Sequence, residues 1–216
     1  PGSEKPDEIV ILGGHLDSIN GRGNESSRAP GADDNASGIA VLTEAVRVLC
    51  ESGFRPKRTV QFMGYAAEEV GLRGSQEIAR QYARGGKKVA GVIQFDMSNF
   101  AGSGEGIFLL TDNVDKNLSA FVGKLIDAYA GVPRSTTRCG YACSDHASWT
   151  KNGYTSAMAF EATFDGMTHN IHTDHDSLDN AGGNAKHSVA FAKLAVAFAI
   201  ELAKPSAAKP AATAGR

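Results

Sequence analysis

The sequence predicts an α/β domain with three layers, helix–sheet–helix, around a mixed, mostly parallel central sheet. Two observations predict it. Short apolar runs alternate with segments of three- and four-residue apolar spacing, the order of strands and crossover helices. Polar, chemistry-bearing residues fall where those runs end, as at the carboxyl ends of parallel strands. The length of 216 residues suits one large domain.

Ile9-Val10-Ile11-Leu12, closed by Gly13-Gly14, reads as a buried strand. Ile39, Leu42, Val46 and Leu49 then recur at helical spacing, which predicts a helix over about 36–52 stopped by Gly53. Thr59-Val60-Gln61-Phe62-Met63 is the second strand, and about 71–84 is helical. A third strand lies within 89–97 and a fourth at Ile107-Phe108-Leu109-Leu110. Leu118, Val122, Leu125, Ile126 and Tyr129 mark another helix, and 155–160 a further strand. Val189, Leu194, Ala197, Phe198 and Leu202 line a closing helix over about 184–203. Residues 1–203 are expected to be the catalytic domain, and the Ala- and Pro-rich 204–216 a tail or linker.

Composition excludes several functions. Lys and Arg number 22 against 24 Asp and Glu, a net charge of −2, so no basic field invites nucleic acid. Apolar stretches fall short of the roughly 18 residues of a membrane span. No charged-then-apolar leader opens the chain. Three cysteines are too few for a disulfide scaffold, so the core must carry the fold.

The first strand ends in Gly13-Gly14-His15-Leu16-Asp17, the second in Tyr65-Ala66-Ala67-Glu68-Glu69, the third in Phe95-Asp96. Asp33-Asp34-Asn35 lies between the first strand and its helix, on the same edge. Converging carboxylates need positive charge when buried. No Lys or Arg accompanies them in these segments, so a metal is the expected counter-charge. Each cluster alone has a plainer reading, Asp33 and Asn35 as helix caps and Glu68-Glu69 as a solvated turn; their joint occurrence at successive strand ends favours the metal. A set of His and carboxylate without Cys suits catalytic zinc, with Mn²⁺ or Co²⁺ able to substitute. His169, His172 and His175 offer a further ligand.

Gly14-His15-Leu16-Asp17-Ser18, Pro30-Gly31-Ala32-Asp33-Asp34-Asn35-Ala36-Ser37-Gly38 and Tyr65-Ala66-Ala67-Glu68-Glu69-Val70-Gly71-Leu72-Arg73-Gly74-Ser75 closely resemble the secreted bacterial di-zinc leucyl aminopeptidases. Asp96-Met97, the segment from Cys139 to Trp149, and Ile171-His172-Thr173 continue the match in order, over about 9–203. The resemblance implies two Zn²⁺ per chain: His15, Asp34 and Asp96 on one, Asp34, Glu69 and His172 on the other, with Asp34 bridging. It implies Glu68 as general acid/base acting on a metal-bridging hydroxide, and a cis peptide at Asp34-Asn35. Asp17 would hold the His15 imidazole in one tautomer. Cys139 and Cys143 would form a disulfide at the pocket rim, which fits a secreted, extracellular enzyme. Cys50 is expected on the buried face or flank of its helix, as a small hydrophobe.

The substrate pocket implied by the resemblance is apolar: Met97, Leu110, Cys139, Tyr141, Cys143, Met158, Phe160, Phe164, Met167 and Ile171. Core packing explains Met158 and Phe160 equally well. Such a pocket suits Leu, Met or Phe at the free N-terminus of a peptide substrate, with broad specificity. The acidic surroundings suit an amine better than a carboxylate, which favours an aminopeptidase over a carboxypeptidase. The alternatives are a noncatalytic, metal-stabilised peptide-binding module and a related zinc carboxypeptidase or glutaminyl cyclase-like enzyme. Ser144-Asp145-His146 tempts a triad reading, but contiguous residues do not readily reach triad geometry, and His146 is expected to be a structural histidine. A monomer is expected. The family carries a further N-terminal segment before this first strand, so the chain is expected to be the core of a longer protein with sheet edges left uncovered.

Overall fold

The computed structural model describes residues 1–206. Its sheet has six strands: β1 (Lys5–His15), β2 (Arg58–Tyr65), β3 (Lys88–Phe95), β4 (Ile107–Leu110), β5 (Arg134–Thr137) and β6 (Ser156–Phe160). Their order is β2-β1-β3-β6-β4-β5, parallel throughout except where β4 meets β6. The helices are α1 (Gly38–Glu51), α2 (Arg73–Arg84), α3 (Lys116–Leu125), α4 (His146–Lys151) and α5 (Ser188–Ala203).

The apolar runs became the strands because they are covered on both faces. Val10 and Leu12 face a core built with Val41, Leu42 and Ala45 of α1, Val122 of α3, and Phe191, Leu194 and Phe198 of α5. Ile9 and Ile11 face the opposite layer, where Ala79 of α2 and Trp149 of α4 pack against Tyr65. The Trp149 indole N–H donates to the Tyr65 hydroxyl at 2.8 Å, so two large buried rings satisfy each other's polar atoms. This is the expected three-layer arrangement.

Two elements carried no apolar signal. β5 reads Arg-Ser-Thr-Thr and is largely exposed; as an edge strand it is held by its backbone ladder to β4 rather than by burial. α4 has six residues, too few for a period to register.

Helix faces depart from the expected stripes. In α1 the buried residues are Val41, Leu42, Ala45 and Leu49, whereas Val46 is exposed. Cys50 is also exposed, not on the buried face. Val189 and Tyr129 likewise face outward. The stripe is set by where the sheet lies, and these residues flank it. Of the expected tail, 207–216 lies outside the described residues. Its beginning is pinned: the Ser206 N–H donates to the Arg55 carbonyl at 2.8 Å.

β1 lies between β2 and β3, so the carboxyl ends of three parallel neighbours share one edge. That edge is a topological switch point, where open α/β sheets form their ligand crevices.

Candidate metal centre

Three strand ends and two loops build the cluster. His15 is the last residue of β1, Glu68 and Glu69 follow β2, and Asp96 follows β3. Asp34 sits in the irregular turn Ala32–Ser37 that leads into α1. Gly31 enters this turn at φ 58°, and a Cβ there would stand 2.5 Å from that of Ser18. The Asp34-Asn35 peptide is cis. Asn35 Oδ1 accepts from the Gly38 N–H at 2.9 Å, so the helix-cap reading holds for Asn35. Its Nδ2 donates to the Phe95 carbonyl at 3.0 Å, tying the turn to β3.

The side chains meet. Asp34 Oδ1 lies 2.9 Å from His15 Nε2, and Asp34 Oδ2 lies 3.1 Å from His172 Nε2. Asp96 Oδ1 is 3.4 Å from His15 Nε2, and Glu69 Oε2 is 3.0 Å from His172 Nε2. One carboxylate therefore stands between two imidazoles, each with a further carboxylate beside it. Glu68 offers an oxygen within 4.8 Å of the His15 and Asp96 donor atoms. Of the three candidate histidines His172 joins, although its own side chain stays 44% exposed. Ala67, Leu72, Met97 and His172 all have φ near +57°, which non-glycine residues adopt rarely and which clusters at functional sites.

The donor set fits a divalent cation. His15 Nδ1 lies 3.0 Å from the Asp17 carbonyl oxygen, which can only accept. A neutral ring donating there turns the Nε2 lone pair toward carboxylate oxygens. Nε2 has no hydrogen bond of acceptable direction despite its 2.9 Å approach, and Asp96 Oδ1 and Glu69 Oε1 are also buried without a partner among the described residues. Lone pairs turned on one another under burial call for positive charge between them, which a bound cation or protons can supply. His15, Asp34, Asp96, Glu69 and His172 supply N and O donors only, the set that suits zinc with open positions.

Asp17 meets the His15 ring through its main chain. Its backbone carbonyl, not its carboxylate, meets the His15 ring; the carboxylate is 3.7 Å away. The carboxylate instead accepts from the Glu68 and Glu69 N–H groups, both at 3.1 Å, and so braces the turn bearing those two residues.

Beside the cluster lies a cavity of about 250 Å³. Met97, Leu110, Tyr141, Cys143, Met158, Phe160, Phe164, Met167 and Ile171 line it, and among the described residues no Lys or Arg does. Cys139 is not on the wall; it packs behind, disulfide-bonded to Cys143. Sequence reasoning missed Gly71, Leu72 and Ala142 on the wall, and Asp112, whose carboxylate accepts from the Cys139 and Gly140 N–H groups at 3.3 and 2.7 Å. No local pattern marks such contacts. A larger groove of about 610 Å³ between α1 and α5 contains none of the clustered side chains. Ser144 is no triad nucleophile: its hydroxyl donates to Asp96 Oδ2 at 2.6 Å. His146 is fully buried, and burial lowers it to about 4, so it stays neutral.

Without a cation the cluster holds protons. Burial, reinforced by Asp96, pushes Glu68 up to about 9. Asp34 and Glu69 raise His172 to about 10. Burial works against charge on His15, but Asp96 and Asp34 hold it well above the ordinary imidazole range. Between about pH 5 and 9 the folded, metal-free chain thus binds more protons than the unfolded chain, whose Glu and His release theirs near 4.3 and 6.5. Its stability falls as pH rises through that window. Melting temperatures in chelator are expected to drop from pH 5 to pH 9, and a steady rise would refute this account.

Strand order and an acidic, imidazole-bearing cluster at the switch point beside an apolar cavity put the chain in the class of α/β proteins with a candidate metal centre at that edge. Residues 1–198 match the model of Peptidase family M28, and the chain belongs to that family. It is 44% identical over 207 residues to leucine aminopeptidase 1 of Arthroderma otae, covering 91% of this chain and 55% of that protein. The LapA aminopeptidase of Legionella pneumophila superposes with a TM-score of 0.83 at 40% identity, over 93% of this chain and 52% of that one. BSAP, a zinc aminopeptidase from Bacillus subtilis, gives 0.77 at 25%, over 97% and 49%. The chain spans about half the length of these relatives. They include a fungal protein as well as bacterial ones, so a bacterial source does not follow from the resemblance.

Proposed function

We propose that this protein is a zinc aminopeptidase that removes large apolar residues (Leu, Met, Phe) from the free N-terminus of peptides, with residues 1–203 as its catalytic domain. The observation that carries the reading is the Asp34 carboxylate, one oxygen toward each of two imidazoles, beside an apolar cavity without Lys or Arg. His15, Asp34 and Asp96 would hold one zinc, and Asp34, Glu69 and His172 the second. Bound zinc supplies Lewis acidity, polarising a carbonyl oxygen and making water acidic near neutral pH.

The chain's own residues do the rest. Glu68 takes a proton on its carboxylate from the attacking water and returns it to the leaving nitrogen. Asp17 fixes the Glu68-Glu69 backbone, so the proton acceptor and the neighbouring ligand keep their directions. Glu68, the clustered carboxylate assigned to neither zinc, leaves negative charge for the substrate ammonium group. Among the described residues no Lys or Arg lines the wall, so no side-chain cation would pair with a substrate carboxylate. Met158, Phe160, Phe164 and Ile171 take the apolar side chain, and one methylene there is worth only about 1–3 kcal/mol, so preference is broad. The Cys139–Cys143 disulfide suits an oxidising, extracellular setting. We take the working unit to be a monomer.

The test is metal analysis together with hydrolysis of aminoacyl anilides. Two zincs per chain, with leucine and methionine anilides cleaved and glutamate anilide poorly cleaved, is expected. Two zincs without turnover would favour a noncatalytic peptide-binding module. One zinc with cyclisation of N-terminal glutamine would favour a glutaminyl cyclase-like enzyme.

A further inference from the structure

The turn carrying Asp34 is gripped by one distant residue. Asp176 Oδ1 accepts from the Asp33 N–H and Oδ2 from the Asp34 N–H, both at 3.0 Å. The Asp176 backbone carbonyl accepts from the Ala32 N–H at 3.0 Å. Three consecutive amides, 32 to 34, thus end on a single side chain and its own main chain. Asp176 is almost wholly buried, and it follows His172 by four positions in the same loop. That loop is tied in turn to the segment after β1, because the Gly21 N–H donates to the His172 carbonyl at 2.9 Å.

The contact resembles that of Asp17, whose carboxylate spans the Glu68 and Glu69 amides. A carboxylate astride two successive N–H groups fixes the direction of the peptide between them as well as its position. At Asp34 this matters, because that residue has extended rather than helical backbone (φ −109°, ψ 88°) within a helical turn. Asp34 has to present one oxygen to His15 and the other to His172.

We infer that Asp176 is a positioning residue for the metal centre: it locks the Asp34 turn to the His172 loop and keeps the Asp34 carboxylate between the two imidazoles. This rests on the zinc reading above. Asp176 touches neither cation nor substrate; it acts through Asp34. Partners of this kind typically change metal affinity 10–100-fold.

The test is zinc affinity, measured on the full chain by competition with a chromophoric chelator. In Asp176→Asn one oxygen becomes an amide donor facing an N–H, so the fork is broken at nearly constant shape. Its affinity is expected to fall about 10–100-fold, with the parent's near-ultraviolet circular dichroism kept in excess chelator. Asp174→Asn removes a charge from the same loop at an exposed position and is expected to bind zinc as the parent does. An Asp176→Asn protein that binds zinc as tightly as the parent overturns the inference while leaving the zinc reading intact. If Asp176→Asn does not fold, Asp176→Ser is measured in the same way. Loss of fold in both, unrecovered by saturating zinc, assigns Asp176 to general structure and also overturns it. A parent that binds no zinc sinks the metal reading, and this inference with it.

Discussion

Replacing Glu68 by alanine is expected to slow hydrolysis of a leucine anilide by about 10²–10⁴-fold, the usual worth of a positioned proton carrier, while zinc content stays at the parent level. Glu68 is buried to 9% exposure, next in sequence to Glu69 but turned toward His15 and Asp96 rather than His172. Burial and the Asp96 carboxylate make its carboxyl a strong proton holder, pushed up to about 9 in the metal-free chain. Adjacent cations would lower that value toward the working pH, where a general base is most effective. Glu68→Gln keeps the shape and loses the proton site, so it should fall as far as Glu68→Ala. Steady-state rates with metal analysis on the same samples decide the matter. A Glu68 variant within about tenfold of the parent rate would remove the residue from the mechanism, since the effect asked of it is at least about 10²-fold.

Asp34→Ala is expected to abolish both zinc binding and activity. Among the described residues Asp34 is the one carboxylate with oxygens within 3.1 Å of both imidazoles, Oδ1 toward His15 and Oδ2 toward His172. Without them His15 keeps Asp96 and His172 keeps Glu69, but the link between the halves is gone. The loss should exceed the roughly 10–100-fold that an outer partner costs. Chelator treatment should silence the parent too, with recovery on added zinc; Asp34→Ala should not recover. Inductively coupled plasma analysis against a rate assay reads both outcomes. Retention of two zincs per chain by Asp34→Ala would break the bridging assignment.

Much of the site was legible because parallel strands deliver their last residues to one edge. His15, Glu68-Glu69 and Asp96 each close an apolar run, so their convergence follows from strand order. The residues also offered Asp33-Asp34-Asn35 and His169, His172 and His175, and the resemblance singled out Asp34 and His172 among them. It also marked the pocket wall, where only Cys139 stands back from the cavity. What stayed illegible was polar and distant in sequence. Asp112 meets the backbone of Cys139 and Gly140 from the loop after β4, and the carboxylate of Asp176 meets amides 143 and 142 positions away. Asp17 was legible as a partner of the cluster but not in which atom does what. Its carbonyl meets the ring and its carboxylate braces the Glu68-Glu69 turn.

By itself the sequence determined the layered α/β class, the strand ends that bear the candidate ligands and the kind of donor collected there. Each of these is written in local periods and in residue type. Only the tertiary structure decided that Asp34 stands between the two imidazoles, that Asp176 grips its turn, and that Val46, Val189 and Cys50 face outward. Such facts depend on how distant segments pack and which hydrogen bonds that packing leaves to be satisfied, and no short-range pattern encodes either.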